Sequence, residues 1–274
     1  MGSVFKFFAL TYLASWSCWI PVVIMSRPEQ MPAGADHGML LLLGTIAPAV
    51  VSLGLTWYQK RKAGLTATLS RLVKADVGGQ WYLFAILYMP AVKAVVTLSH
   101  RLATGRWPLF GHEGPVLIAI ATLLSTPVQA GEEIGWRGYA LPALAARFDL
   151  DAASIIVGLV WGIWHLPLFF LPGADKYGQS FPVYVSGVVA FSIAITWLYG
   201  HTEGSLLLTM LMHSAFNQTI GIVPDVLQPG QKPFAFGASL SFLLTIAWMW
   251  AAATFFLIRM PHFRSMHPQR PDTG

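Results

Sequence analysis

The sequence predicts an all-α fold, a polytopic membrane helical bundle of about eight transmembrane helices. Three observations predict it. Of 274 residues, 55% are hydrophobic and only 11% are charged. A soluble domain carries about 25% charged residues, so this chain cannot cover a water-facing surface. The apolar residues also fall in blocks of about 20, the length that crosses a bilayer. No strand alternation of useful length is present, which excludes a barrel. Disorder and a coiled coil are excluded on the same composition. The net charge of +5 is thinly spread, with no dense Lys/Arg stripe, so nucleic acid is not an expected partner. A single cysteine, Cys18, excludes an internal disulfide and a Cys-based zinc site.

The blocks run 4–25, 39–58, 81–99, 115–148, 152–171, 183–199, 205–223 and 236–258. The first is too long for a signal-peptide core of roughly 7–15 residues and lacks a small-residue cleavage site, so it stays as a span. The fourth starts apolar and continues past Ala130 as a polar-studded helix. Trp57, Tyr58, Trp81, Tyr82, Trp197 and Tyr199 fall at block ends on one side, as interfacial anchors do. That side also holds Lys60, Arg61, Lys62, Arg71 and Lys74 in the loop 59–80, and Arg259, Arg264 and Arg270 in the tail. The other side holds Arg27, Arg101, Arg106, Lys176 and Lys232. The positive-inside bias then makes both termini cytoplasmic, in an integral protein of the plasma or inner membrane. The loop 59–80 is expected to lie on the inner leaflet. One membrane domain, 1–274, ends in a basic, Pro-rich and disordered tail, 260–274.

Ionisable groups inside spans cost roughly 2.5–3.5 kcal/mol near a helix centre, so each needs a reason. They gather in three blocks. In Gly131-Glu132-Glu133-Ile134-Gly135-Trp136-Arg137, Glu133 and Arg137 stand at i, i+4 and can pair. Glu132 lies about 100° around the helix and has no partner on its own helix, which leaves one carboxylate for general-base work or a wet cavity. In Trp161-Gly162-Ile163-Trp164-His165, His165 is alone. In His213-Ser214-Ala215-Phe216-Asn217, His213 and Asn217 share a face. Alone, each histidine reads as readily as a packing residue or an interhelical hydrogen bond. Counted at about 1.5 Å per residue, Glu132, His165 and His213 all reach the middle depth of one bundle. A base, two imidazoles and a carboxamide in one cavity have the composition of an active site. Lys93, in the third span, reads as structural.

The three motifs, each in its own span, resemble those of the CPBP intramembrane proteases, which include the type II CAAX prenyl endopeptidases and the bacteriocin-processing or immunity (Abi) proteins. The carrying residues are Glu132-Glu133-x-x-x-Arg137, Trp161-x-x-x-His165 and His213-x-x-x-Asn217. The resemblance covers 115–223, and Trp161 departs from it, since the family usually has Phe there. It implies an intramembrane peptidase in which Glu132, helped by His165, activates water. His213 and Asn217 would stabilise the oxyanion, with Glu133, Arg137 and Trp161 in support. The family is also called metalloprotease. His165, His213 and Glu132 could form a His₂Glu site for one Zn²⁺, although no His-Glu-x-x-His helix is present. Peptide hydrolysis is chemically open by either route, and the expectation is that no metal is required.

The expected function is therefore cleavage of a membrane-associated peptide or protein, lipidated or not, near the cytoplasmic face. Two other classes compete. One is a non-catalytic membrane chaperone or immunity-type partner of the same fold. The other is a small-solute or proton-coupled transporter, whose mark would be duplicated halves with matching broken helices. Here the polar residues gather in one half.

Overall fold

The computed structural model describes residues 2–26, 38–224 and 232–263. The tail beyond 263, expected to be disordered, lies outside the described residues. Among these residues the structure is helical, with no strand. In chain order come α1 (Gly2–Met25), α2 (Gly38–Leu72), α3 (Gly79–Thr104), α4 (Pro115–Ser125), α5 (Ala130–Gly135), α6 (Leu141–Trp164), α7 (Phe181–His201), α8 (Leu206–Thr219) and α9 (Leu240–Ile258). Serines cap the last three helices. Ser180, Ser205 and Ser239 accept from the N–H groups of Val183, Leu208 and Phe242, filling donors that a helix start leaves orphaned.

Six helical stretches are long and apolar enough to cross a membrane. The expected count of about eight differs because two segments depart from a simple span. The stretch Pro115–Phe170 is 56 residues of nearly unbroken helix, yet it holds two passes. Trp161 hydrogen-bonds Glu132, and 29 residues of straight helix would put them about 43 Å apart. The chain therefore reverses between them, at Asp149, the residue with non-helical dihedrals (φ 64°, ψ 176°). The other departure is α8. It ends at Thr219, four residues short of the expected boundary. There the Thr219 hydroxyl donates to the Ala215 carbonyl, a side-chain bond that competes with the helix ladder.

Two further expectations are refined. The loop 59–80 is largely helix, since α2 continues to Leu72 after a break at Arg61 (φ 53°). Its end is pinned, with Arg71 donating to the Gly204 carbonyl and to the Tyr199 hydroxyl. The fourth block is not one helix. A 3-10 turn at Thr126–Gln129 follows the break that Pro127 imposes, because proline has no N–H to donate. A π turn at Trp136–Ala140 widens the helix where Arg137 must be housed.

Packing follows from small residues. A Cβ on Gly135 would meet Pro48 at 2.6 Å, and one on Gly158 would meet the Val189 backbone at 2.8 Å. Gly131 and Gly135 thus let α5 lie against α2, while Gly158 and Gly162 let α6 lie against α7. These are the close approaches that small-x-x-x-small pairs permit in membranes. The centre of the bundle is α7. Two-thirds of its apolar window is buried, against 28% for α1. Both ends of the described chain sit at the Asp149 end of the bundle. Phe7 packs on Trp136 and Tyr139, and His262 bonds Asp149.

Candidate active site

The polar residues of three helices meet around one cavity of about 270 Å³. Its lining includes Glu132, Trp161, His165, His213 and Asn217. Glu132 and Glu133 are presented by α5, held close to α2 by the two glycines. His165 closes α6, just before the 3-10 turn Leu166–Phe170. His213 and Asn217 come from α8.

The two adjacent carboxylates have different surroundings. Glu133 is fully buried. Its Oε1 accepts from Arg137 Nη1 at 2.8 Å and from His213 Nδ1 at 2.9 Å. Arg137 is equally buried, and its guanidinium carbon sits 4.2 Å from the centre of the Trp161 ring, a cation–π contact. Glu132 borders the cavity, and its Oε2 accepts from the Trp161 indole at 2.6 Å. The carboxylate without a partner on its own helix has found one on another.

Both imidazoles are fixed by what they touch. His165 Nδ1 lies 2.9 Å from the Trp161 carbonyl oxygen. A carbonyl only accepts, so Nδ1 carries the proton and Nε2 presents a lone pair. His213 Nδ1 donates to the Glu133 carboxylate by the same logic. His165 is further walled by Trp164 and Tyr184, with ring centres at 4.7 and 5.5 Å. Asn217 Nδ2 donates to Gln129 Oε1 at 3.4 Å, which orients the amide.

Several lining residues were not singled out from sequence. Gln129, in the turn before Glu132, is outside the lining but accepts from Asn217, and as a polar interruption of the block it could have been noticed. Tyr184 belongs to the start of α7. Asp175, Lys176 and Gln179 come from the loop after Phe170 and line the mouth. Nothing in their local sequence separates them from ordinary loop residues. Their position places the mouth at the end of the bundle opposite Asp149 and opposite both described chain ends. The inner wall is apolar, with Val188, Phe191, Phe216, Phe242 and Met249. Lys93 is not in the lining. It is buried and donates to the Val223 carbonyl and to Thr245.

The donor types of His165, His213 and Glu132 suit zinc. Among the described residues no three His, Cys, Asp or Glu side chains are grouped to hold a metal ion, and one Glu132 oxygen is already taken by the indole.

Fold and site together define a polytopic helical membrane protein with carboxylate, imidazole and amide side chains gathered at one cavity. Comparison with known proteins gives two likenesses. Residues 112–219 match the model of the type II CAAX prenyl endopeptidase Rce1-like family. The chain is also 26% identical over 227 residues to CAAX prenyl protease 2 of Methanococcus maripaludis, covering 77% of this chain and 81% of the relative. The matched residues include the helices that carry Glu132, His165 and His213, and both likenesses support a protease.

Proposed function

We propose that the chain hydrolyses a peptide bond in a membrane-associated peptide or protein, including one carrying a prenyl-modified cysteine, with Glu132 and His165 as the water-activating pair. One observation carries the reading. Glu132 and His165 line the same cavity, and among the described residues each keeps an acceptor free of protein hydrogen bonds, Oε1 of the first and Nε2 of the second. A water between them donates one hydrogen to each and turns its lone pair toward a bound carbonyl carbon. The O–H bond to Glu132 breaks as the C–O bond forms. Glu132 then delivers that proton to the departing amine, so the site returns to its starting state.

His213 and Asn217 are the candidates for the oxyanion. Asn217 donates through its amide. His213 already donates from Nδ1 to Glu133, so it donates from Nε2 only as an imidazolium. With that proton, Glu132, Glu133, Arg137 and His213 sum to zero charge, the balance a buried cluster favours. The reading requires no metal. The supports are the family match, the apolar wall that suits a lipid-modified substrate, and the convergence of the four side chains.

Two expectations from sequence conflict once the fold is known. If both termini are cytoplasmic, the mouth lies at the opposite face. We infer that the substrate enters from the end carrying Lys176, whichever face that is. Impermeant labelling of Asp175→Cys, beside a label on the C-terminal tail, reads the face directly. Labelling of both sites from one side would overturn the placement.

The activity test uses purified full-length protein, a farnesylated fluorogenic peptide and its unmodified twin. Glu132→Gln should lower turnover about 10²–10⁴-fold with normal membrane insertion, and a strong chelator should leave the wild type unaffected. Retained turnover in Glu132→Gln would overturn the assignment. Loss with chelator and recovery with zinc would replace the metal-free mechanism by a metal one.

A further inference from the structure

The geometry points to Trp161 as the positioning residue that sets both members of the water-activating pair. The inference rests on the proposed roles of Glu132 and His165. Trp161 touches each of them by a different group. Its indole N–H donates to Glu132 Oε2 at 2.6 Å. Its backbone carbonyl accepts from His165 Nδ1 at 2.9 Å. Its ring face lies on Arg137, 4.2 Å from the guanidinium carbon, and meets the His213 ring edge to face at 5.1 Å. The residue is itself buried, 3% exposed, and Gly158 and Gly162 hold its helix hard against α7. It is therefore a rigid fixture.

Each contact has a chemical effect. The indole occupies Oε2 and fixes the carboxylate rotamer, so Oε1 is the oxygen left for water. The carbonyl fixes the His165 tautomer, so Nε2 is an acceptor too. Two acceptors held by one residue can grip one water by both hydrogens, a pre-organisation worth having before substrate arrives. A phenylalanine at 161 would keep the ring against Arg137 and the backbone carbonyl against His165. It would lose only the N–H and with it the hold on Glu132.

The test separates the N–H from the ring. Trp161→Phe is compared with a protein carrying 3-benzothienylalanine at 161, an indole-shaped side chain with sulfur in place of N–H. Both should fall about tenfold in kcat on the farnesylated peptide with KM unchanged, while thermal unfolding of the benzothienyl protein matches the wild type. Wild-type kcat in the benzothienyl protein, or in Trp161→Phe, would overturn the inference. A second readout needs no turnover. The Trp161 indole ¹H–¹⁵N resonance, assigned by its loss in Trp161→Phe, should lie downfield as expected for a bond to carboxylate and move upfield in Glu132→Ala. An unmoved resonance would refute the bond. Failure of the underlying reading looks different, because Glu132→Gln would then stay active whatever Trp161 does.

Discussion

The outer helices α1, α2 and α3 differ from the inner assembly of α5 through α8 in how they treat polar groups. In the outer helices the described buried polar side chains are mostly small hydroxyls. Ser15 donates to the Gly44 carbonyl, and Ser52 to Ala49 on its own helix. Lys93 is the charged exception among the described buried groups there. The inner assembly buries Glu132, Glu133, Arg137, His165 and His213, which bond along a helix, as Arg137 to Glu133, and between helices, as Trp161 to Glu132 and His213 to Glu133. The outer helices thus form an apolar jacket whose members can each be changed alone. The inner side chains act as one network, so a change at one is felt at the others. That coupling concentrates the consequences of mutation.

The contrast can be broken at four places, taken from the largest expected effect to the smallest. Arg137→Ala strands Glu133 without its cation. Breaking a buried pair from one side costs about 3–5 kcal/mol, so folded protein recovered from membranes should fall sharply; wild-type yield and melting temperature would show that the pair is dispensable. Asn217→Ala removes one candidate donor to the oxyanion. Turnover should drop about 10²–10³-fold with unchanged melting, and near-normal kcat would remove Asn217 from the chemistry. Gly158→Ala inserts a methyl against the α7 backbone. Overpacking costs about 1–3 kcal/mol, seen as lower thermal stability together with lower kcat, because Trp161 rides on the same helix. Lys74→Ala deletes an ion pair with Glu203, whose side chain is 78% exposed. Such pairs contribute about 0–1 kcal/mol, so neither activity nor stability should move measurably. A large effect there would mean that the outer region is coupled to the cavity after all.

Much of this was legible in the sequence, and the rest was hidden for identifiable reasons. Composition and block length revealed the membrane bundle. The lone carboxylate Glu132, the i, i+4 pair Glu133–Arg137 and the pair His213–Asn217 marked the three helices that meet. Helix spacing alone could not show that Trp161 donates to Glu132, because that bond depends on the rotation of α6 about its axis. The second bond of Glu133, to His213, depends likewise on the depth of α8. The rim residues 175–179 gave no signal, since a loop Lys and Asp look the same in or out of a site. The glycine pairs 131/135 and 158/162 were readable, and they mark both helices that carry the proposed water-activating pair. The reversal at Asp149 was legible as the boundary between the blocks 115–148 and 152–171, although the run stays helical on either side of that single residue.

That single-residue reversal has a consequence for biogenesis. A nascent chain emerging from the ribosome presents 56 residues of helix-forming sequence in which only the short charged run Arg147-Phe148-Asp149-Leu150-Asp151 marks where one pass ends. With so short a link, the two arms are expected to enter the bilayer together, as a closed hairpin. Entering so, Glu132 meets the Trp161 indole as the arms come together, and Glu133 brings Arg137 on its own arm. The charges most expensive to expose to lipid are thus neutralised or capped within one insertion event, before the helix that carries His213 has been made.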